Sequence, residues 1–157
     1  MKSISLALIA MFALLLQGCT ESFATPTQAG TEPLPRVLVH KNEYCGCCNG
    51  WVEHMRKAGF RVEVRNVDNL DPVKTRVGVP AGKGSCHTAE VGGYFVEGHV
   101  PAIDIKRLLA ERPEAKGLVL PAMPVGSPGM EAPDGSSEPY TVELVGHDGK
   151  TTPYASH

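Results

Sequence analysis

The sequence predicts an α/β fold, a central mixed sheet flanked by helices, and three observations carry that prediction. Arg36-Val37-Leu38-Val39-His40 is an apolar run of strand length, Cys47 to Ala58 places apolar residues at helical spacing, and Arg61 to Val67 alternates apolar with polar residues. Strand, helix and strand in that order, with more strands and a helix to follow, make a layered α/β pattern.

In the first helix, Cys48, Val52 and Met55 share one face at i, i+4 and i+7, and Gly59 is placed to end it. Leu70 to Val77 is a short helix opened by Asp68 or Asn69 as cap. Gly78 to Gly84 is a loop that delivers Cys86, and HTAEVGGYFVEGH reads as two strands around Gly92-Gly93. Ala102 to Glu111 is an amphipathic helix with Ile103, Leu108 and Leu109 toward the core, stopped by Pro113. Leu118 to Leu120 is a short strand, Pro121 to Pro139 a long Pro/Gly-rich loop of the kind that is functional or unstructured, and Tyr140 to Val145 with the turn at residues 147–150 a C-terminal hairpin. A Cys-x-x-Cys at the head of the first helix makes the expected architecture thioredoxin-like.

Lys+Arg number 15 against Asp+Glu 17, for a net charge of -2, so no polyanion partner such as nucleic acid is expected. The N-terminus is different in kind. Lys2 precedes an apolar run from Ile4 to Leu16 of about 13 residues, too short for a bilayer that needs roughly 20. Leu16-Gln17-Gly18-Cys19 follows, and these residues resemble the lipobox of bacterial lipoproteins, with Gln17 its imperfect position. The expected organisation is a lipoprotein-type signal peptide over 1–18, lipidation at Cys19, a flexible tether over 19–35 and a folded domain over 36–157. An ordinary secretory signal cut after Ala24 or Ala29 is the alternative. The Thr/Pro/Gly-rich tether would span about 20 to 24 Å on average, at roughly 5 to 6 Å times the square root of its length. Either route exports the chain to a compartment where disulfides persist.

Of the 5 cysteines, setting Cys19 aside leaves Cys45, Cys47 and Cys48 in YCGCCNGW, and Cys86. Neighbouring and next-neighbouring cysteines close strained rings, so Cys45 with Cys48 is the unstrained internal pairing. The start of a helix, with free N–H groups and the positive dipole end, lowers thiol pKa and favours thiolates. Thiolates serve disulfide exchange and soft metals alike. Cys47 is a liability in exchange, because a third thiol captures the intermediate, yet it is an asset in a four-thiolate metal site. Charge favours several Cu(I) ions there: four thiolates carry four negative charges, which four Cu(I) ions cancel and one Zn(II) does not, and a neutral cluster is the least costly to bury.

His87 adjoins Cys86, and Met123 and Met130 lie in PAMPVGSPGME without apolar neighbours at helical spacing, so these three are the further candidate ligands. His99, before Val100-Pro101, is a weaker candidate; His40 and His54 read as structural, and Trp51 and Met55 as packing. Gly82-Lys83-Gly84-Ser85 lacks the spacing of a phosphate-binding loop.

YCGCCNGW, SCHTAEVGGYFVEGHVPAIDIKRLL and MPVGSPGME, in that order over about residues 36–135, resemble the CopG-like copper-resistance family of exported bacterial metal-binding proteins. The resemblance implies a thioredoxin-like fold, a cysteine-bridged multinuclear copper cluster on Cys45, Cys47, Cys48 and Cys86, interconversion of Cu(I) and Cu(II), and association with a copper efflux system. The lipobox-like segment departs from that pattern. The expectation is therefore a periplasmic protein, lipid-anchored to the outer membrane, that holds Cu(I) for copper resistance and meets the membrane only through its anchor. A thiol-disulfide oxidoreductase using Cys45 and Cys48 and a structural zinc-binding interaction module are the alternatives.

Overall fold

The computed structural model describes residues 33–157. The expected signal peptide, Cys19 and the tether before Pro33 lie outside the described residues. The elements run β1 (Val37–Lys41), α1 (Gly46–Lys57), β2 (Val62–Asn66), α2 (Asp71–Val77), β3 (His87–Val91), β4 (Tyr94–Glu97), α3 (Ala102–Glu111), β5 (Gly117–Val119), β6 (Thr141–Val145) and β7 (Thr151–Ser156). They build a 7-stranded sheet in the order β2-β1-β3-β4-β5-β6-β7.

β1 and β2 are parallel and are joined through α1, while β3 runs antiparallel to β1 and β4 antiparallel to β3. That arrangement is the expected thioredoxin-like core. β5 extends it parallel to β4, and the β6–β7 hairpin continues antiparallel. Alternation along the strands sorts side chains between two faces. On one face Val37, Val39, Ala89, Val96 and Leu118 pack with Trp51 and Met55 of α1 and with Ile105 and Leu108 of α3. On the other, Phe95, Val119 and Val145 pack with Val77 at the end of α2 and with Val79. Leu34, in the last part of the expected tether, packs against the larger core.

Local chemistry explains most boundaries. Gly59, at φ +95°, follows the last turn of α1, where a left-handed residue ends a helix. The N-cap of α2 is Leu70, with no side chain capping the helix, rather than Asp68 or Asn69; the Asn69 side-chain oxygen accepts the Asp71 N–H at 2.9 Å in the turn that leads into it. α3 departs from expectation in phase. Ile103 is 70% exposed and Ile105 is buried in its place. At 100° per residue, position 103 stands about 140° from Leu108 whereas position 105 is about 60° away, so only Ile105 shares the core face.

The Pro/Gly-rich loop has no helix or strand but is ordered by its own backbone: Gly126 N–H donates to Met130 O at 2.9 Å, Met130 N–H to Ser127 O at 2.8 Å, and Glu138 N–H to Val125 O at 2.9 Å. It lies against α1 through two glycines. A Cβ on Gly50 would fall 2.8 Å from Gly129 Cα, a separation that only paired glycines allow.

Candidate metal centre

α1 begins with Cys45 in extended backbone (φ -74°, ψ 95°), no acidic residue in its first turn, and no side chain capping its N–H groups. Its first turn therefore presents an unopposed positive end to the sulfurs of Cys45, Cys47 and Cys48. Cys45 and Cys48 are joined in a disulfide with Cα atoms 5.4 Å apart, and among the described residues Cys47 and Cys86 are free. Cys47 Sγ lies 3.5 Å from Cys45 Sγ.

Sheet register brings the remaining candidate ligands in. β3 pairs with β1 so that His87 stands opposite Lys41. The residue before β3, Cys86, thus arrives beside the end of β1, where the Cys-rich turn begins. β3 pairs with β4 about the Gly92-Gly93 turn, Thr88 opposite Glu97. Two residues beyond the end of that ladder, in the same register, Cys86 meets His99. The four sulfurs of Cys45, Cys47, Cys48 and Cys86 all lie within 4.8 Å of one another, and so do the ligand atoms of Cys86, His87 and His99.

His99 is the better placed of the two histidines. Its Nε2 is 3.0 Å from Cys86 Sγ, and its Nδ1 is 2.7 Å from the Pro128 carbonyl oxygen. Since a carbonyl only accepts, Nδ1 carries the proton and the Nε2 lone pair faces the sulfur, the tautomer that suits a metal ligand. His87 is fully buried, with Nδ1 3.6 Å from Cys86 Sγ and, among the described residues, no hydrogen-bond partner for its Nε2. Burial, helped by the charges of His99 and Lys74, lowers its pKa to about 3, so the ring is neutral. Desolvation likewise lowers His99. Burial, then the charge of the neighbouring Cys47, pushes the Cys86 thiol up to about 11. Neutral imidazoles beside crowded sulfurs are a soft donor set that suits a thiophilic cation.

The methionines separate. Met123 Sδ lies 3.9 Å from Cys47 Sγ. Met130 is placed by its backbone bonds to Gly126 and Ser127, and among the described residues it is Met123, not Met130, whose thioether lies against a thiol. Trp51, expected as packing, is fully buried; its Nε1–H donates to Val100 O at 2.8 Å, and its ring centroid lies 4.4 Å from that of His87. His54 is structural, accepting the Ala102 N–H at Nε2 (3.0 Å) at the start of α3.

A second group, absent from the sequence reading, supports the Cys86 loop from beneath. Glu97 is fully buried, accepts the Ser85 N–H at 2.5 Å and the Thr88 hydroxyl at 2.7 Å, and pairs with Lys74. Burial pushes its carboxyl up, against the pull of those donors. Its only signal in the sequence is an acidic residue at a strand position otherwise flanked by apolar ones.

The family model described as "Protein of unknown function, DUF411" matches residues 83–130, the span from the Cys86 loop through Met130. No curated protein matches the chain. Two solved structures do. "Copper resistance protein copG- Form 1" is 44% identical, with a TM-score of 0.75, over 80% of this chain and 98% of that one. "Copper resistance protein copG- Form 2" is 42% identical, with a TM-score of 0.74, over 79% of this chain and 98% of that one. At that identity, over nearly the whole of those structures, the chain belongs to the family of the copper resistance protein CopG.

Proposed function

We propose that this protein binds copper for copper resistance, holding Cu(I) as several ions bridged by the thiolates of Cys45, Cys47, Cys48 and Cys86. The observation that carries the reading is the convergence of four sulfurs within 4.8 Å from two separate segments. Cu(I) prefers thiolate, thioether and imidazole donors, and His99, His87 and Met123 add those types around the sulfurs. Met130 serves in this reading as an outer ligand brought in by movement of its loop. The names of the solved relatives support the choice of copper over zinc.

The lipobox-like segment ending at Cys19 supports export, acylation and retention at the outer membrane, facing the periplasm. Copper ions are then the cargo, components of an efflux system the recipients, and cycling between Cu(I) and Cu(II) the accompanying chemistry. Metal analysis and X-ray absorption on protein purified under reducing conditions test the reading. Copper with predominantly sulfur neighbours, reduced in amount and affinity by each of the four Cys→Ser substitutions, is the expected result. Stoichiometric zinc without copper overturns it, as does a Cys86→Ser protein with unaltered copper stoichiometry and affinity.

A further inference from the structure

Two of the four sulfurs that would hold copper are joined to each other in this structure, and the disulfide removes half of the thiolates from the site. A metal binds thiolate, and a sulfur engaged in a disulfide has no such charge to offer. We propose that the Cys45–Cys48 disulfide is a substrate for an exported dithiol reductant, and that its reduction opens the site to Cu(I). The inference rests on the copper reading above and adds to it a partner and a control.

The geometry supplies the exchange. Cys48 is fully buried whereas Cys45 is partly exposed, so the reductant's thiolate attacks Cys45 Sγ and Cys48 leaves. The leaving thiolate forms in the first turn of a 12-residue helix that has no acidic residue there to oppose it. The reductant's second thiol then attacks its own sulfur in the mixed disulfide and releases Cys45. One protein disulfide and one dithiol become two protein thiols and one reductant disulfide, with two electrons and two protons transferred. Docking has a surface to use: Tyr44, next to Cys45, is 89% exposed, and Met123, at Cys47, is 43% exposed.

The oxidised chain keeps Cys47, Cys86, His99 and His87 as donors, and the reduced chain adds two thiolates between them. By linkage, a ligand that prefers the reduced form must also stabilise it against oxidation. Cu(I) therefore makes the Cys45/Cys48 couple easier to reduce.

The test uses the full chain carrying Cys19→Ser, so that only the four site sulfurs are counted. Cu(I) uptake is measured without oxygen, against a Cu(I)-selective chelator, for protein oxidised and then reduced with dithiothreitol, and the couple is titrated in dithiol buffers with and without Cu(I). Expected are two reactive thiols rising to four on reduction, at least a doubling of bound Cu(I), and a couple whose midpoint moves to more oxidising buffers when Cu(I) is present. Equal uptake by both forms, or an unmoved midpoint, overturns the gate and leaves copper binding standing. No uptake by the reduced chain overturns copper binding itself and the gate with it. The Cys45→Ser/Cys48→Ser protein should take up Cu(I) at the oxidised level with or without dithiol. Uptake at the reduced level by that variant also overturns the proposal, and the wild-type comparison stands whether or not the variant folds.

Discussion

Gly129 is pressed against the backbone of Cys47: a Cβ built on it would lie 2.5 Å from the Cys47 carbonyl oxygen, at a φ of +86°. The loop that carries Met123, Pro128 and Met130 is thereby seated on the helix that carries the cysteines. Gly129→Ala meets both a clash and an unfavourable backbone conformation, each of a kind that costs about 1 to 3 kcal/mol. Thermal unfolding should show the loss. Cu(I) affinity should fall as well, because the Pro128 carbonyl that orients His99 moves with the loop. An unchanged melting temperature together with unchanged affinity would show that the loop does not depend on this contact.

His99 should matter more than its sequence position suggests. Its Nε2 is closer to Cys86 Sγ than is His87 Nδ1, 3.0 Å against 3.6 Å, and its tautomer is set by Pro128. His99→Ala is expected to weaken Cu(I) binding by at least tenfold in a chelator competition, in the range of about 10 to 100-fold that follows loss of a group orienting or supplementing a metal's ligands. His87→Ala should weaken it less while lowering stability more, because that ring is fully buried beside Trp51. The reverse order for the two variants would count against the assignment.

The element order was legible because α1, β2 and α3 carry clear periodicity, and the turn at Gly92-Gly93 is marked by its glycines. The place of His99 was latent in that same turn. A two-residue hairpin loop pairs Val91 with Tyr94, and counting outward from it sets Cys86 opposite His99. Adjacency along the chain favoured His87 instead, but in a strand neighbouring side chains point to opposite faces, so cross-strand register is the better guide to contact. Ile103 was misplaced for a related reason: apolar residues at 103 and 105 compete for one face, and the helix phase set by Leu108 admits only the second. The seating of the long loop was not legible, because a Gly–Gly approach leaves no hydrophobic pattern. The same holds for the buried Glu97, whose partner Lys74 lies on another element.

Stability of the metal-free protein should fall as the pH drops below the ordinary histidine range, and His54 should account for a measurable part. Desolvation lowers its pKa from 6.5; Lys57 acts in the same direction and Glu131 opposes both. A histidine with a depressed folded-state pKa binds fewer protons folded than unfolded. Its contribution is therefore complete above 6.5 and is lost as pH falls toward the folded-state value. Neutral His54 also accepts the Ala102 N–H at the start of α3, which the protonated ring cannot do. His54→Gln keeps an acceptor and does not titrate, so its melting temperature should vary less between pH 7 and pH 5 than that of the parent chain. Identical slopes would place the acid sensitivity elsewhere.

Glu97 and Lys74 offer a separate test of how the Cys86 loop is held. Glu97 is fully buried, and the Lys74 side chain is 17% exposed, so solvent screens the pair little. Removing one partner of such a pair leaves the other buried and uncompensated, at a cost of about 3 to 5 kcal/mol. Glu97→Gln, which retains an acceptor for the Ser85 N–H, strands the Lys74 ammonium. The double variant Glu97→Gln/Lys74→Met removes the stranded charge and should recover much of the loss in denaturant unfolding. Copper binding distinguishes a local role from a global one. If Glu97 positions Cys86 through Ser85, Glu97→Ala should lower Cu(I) affinity more than Glu97→Gln does, even under conditions where both proteins remain folded. Equal affinities for the two variants would assign the carboxylate to stability alone.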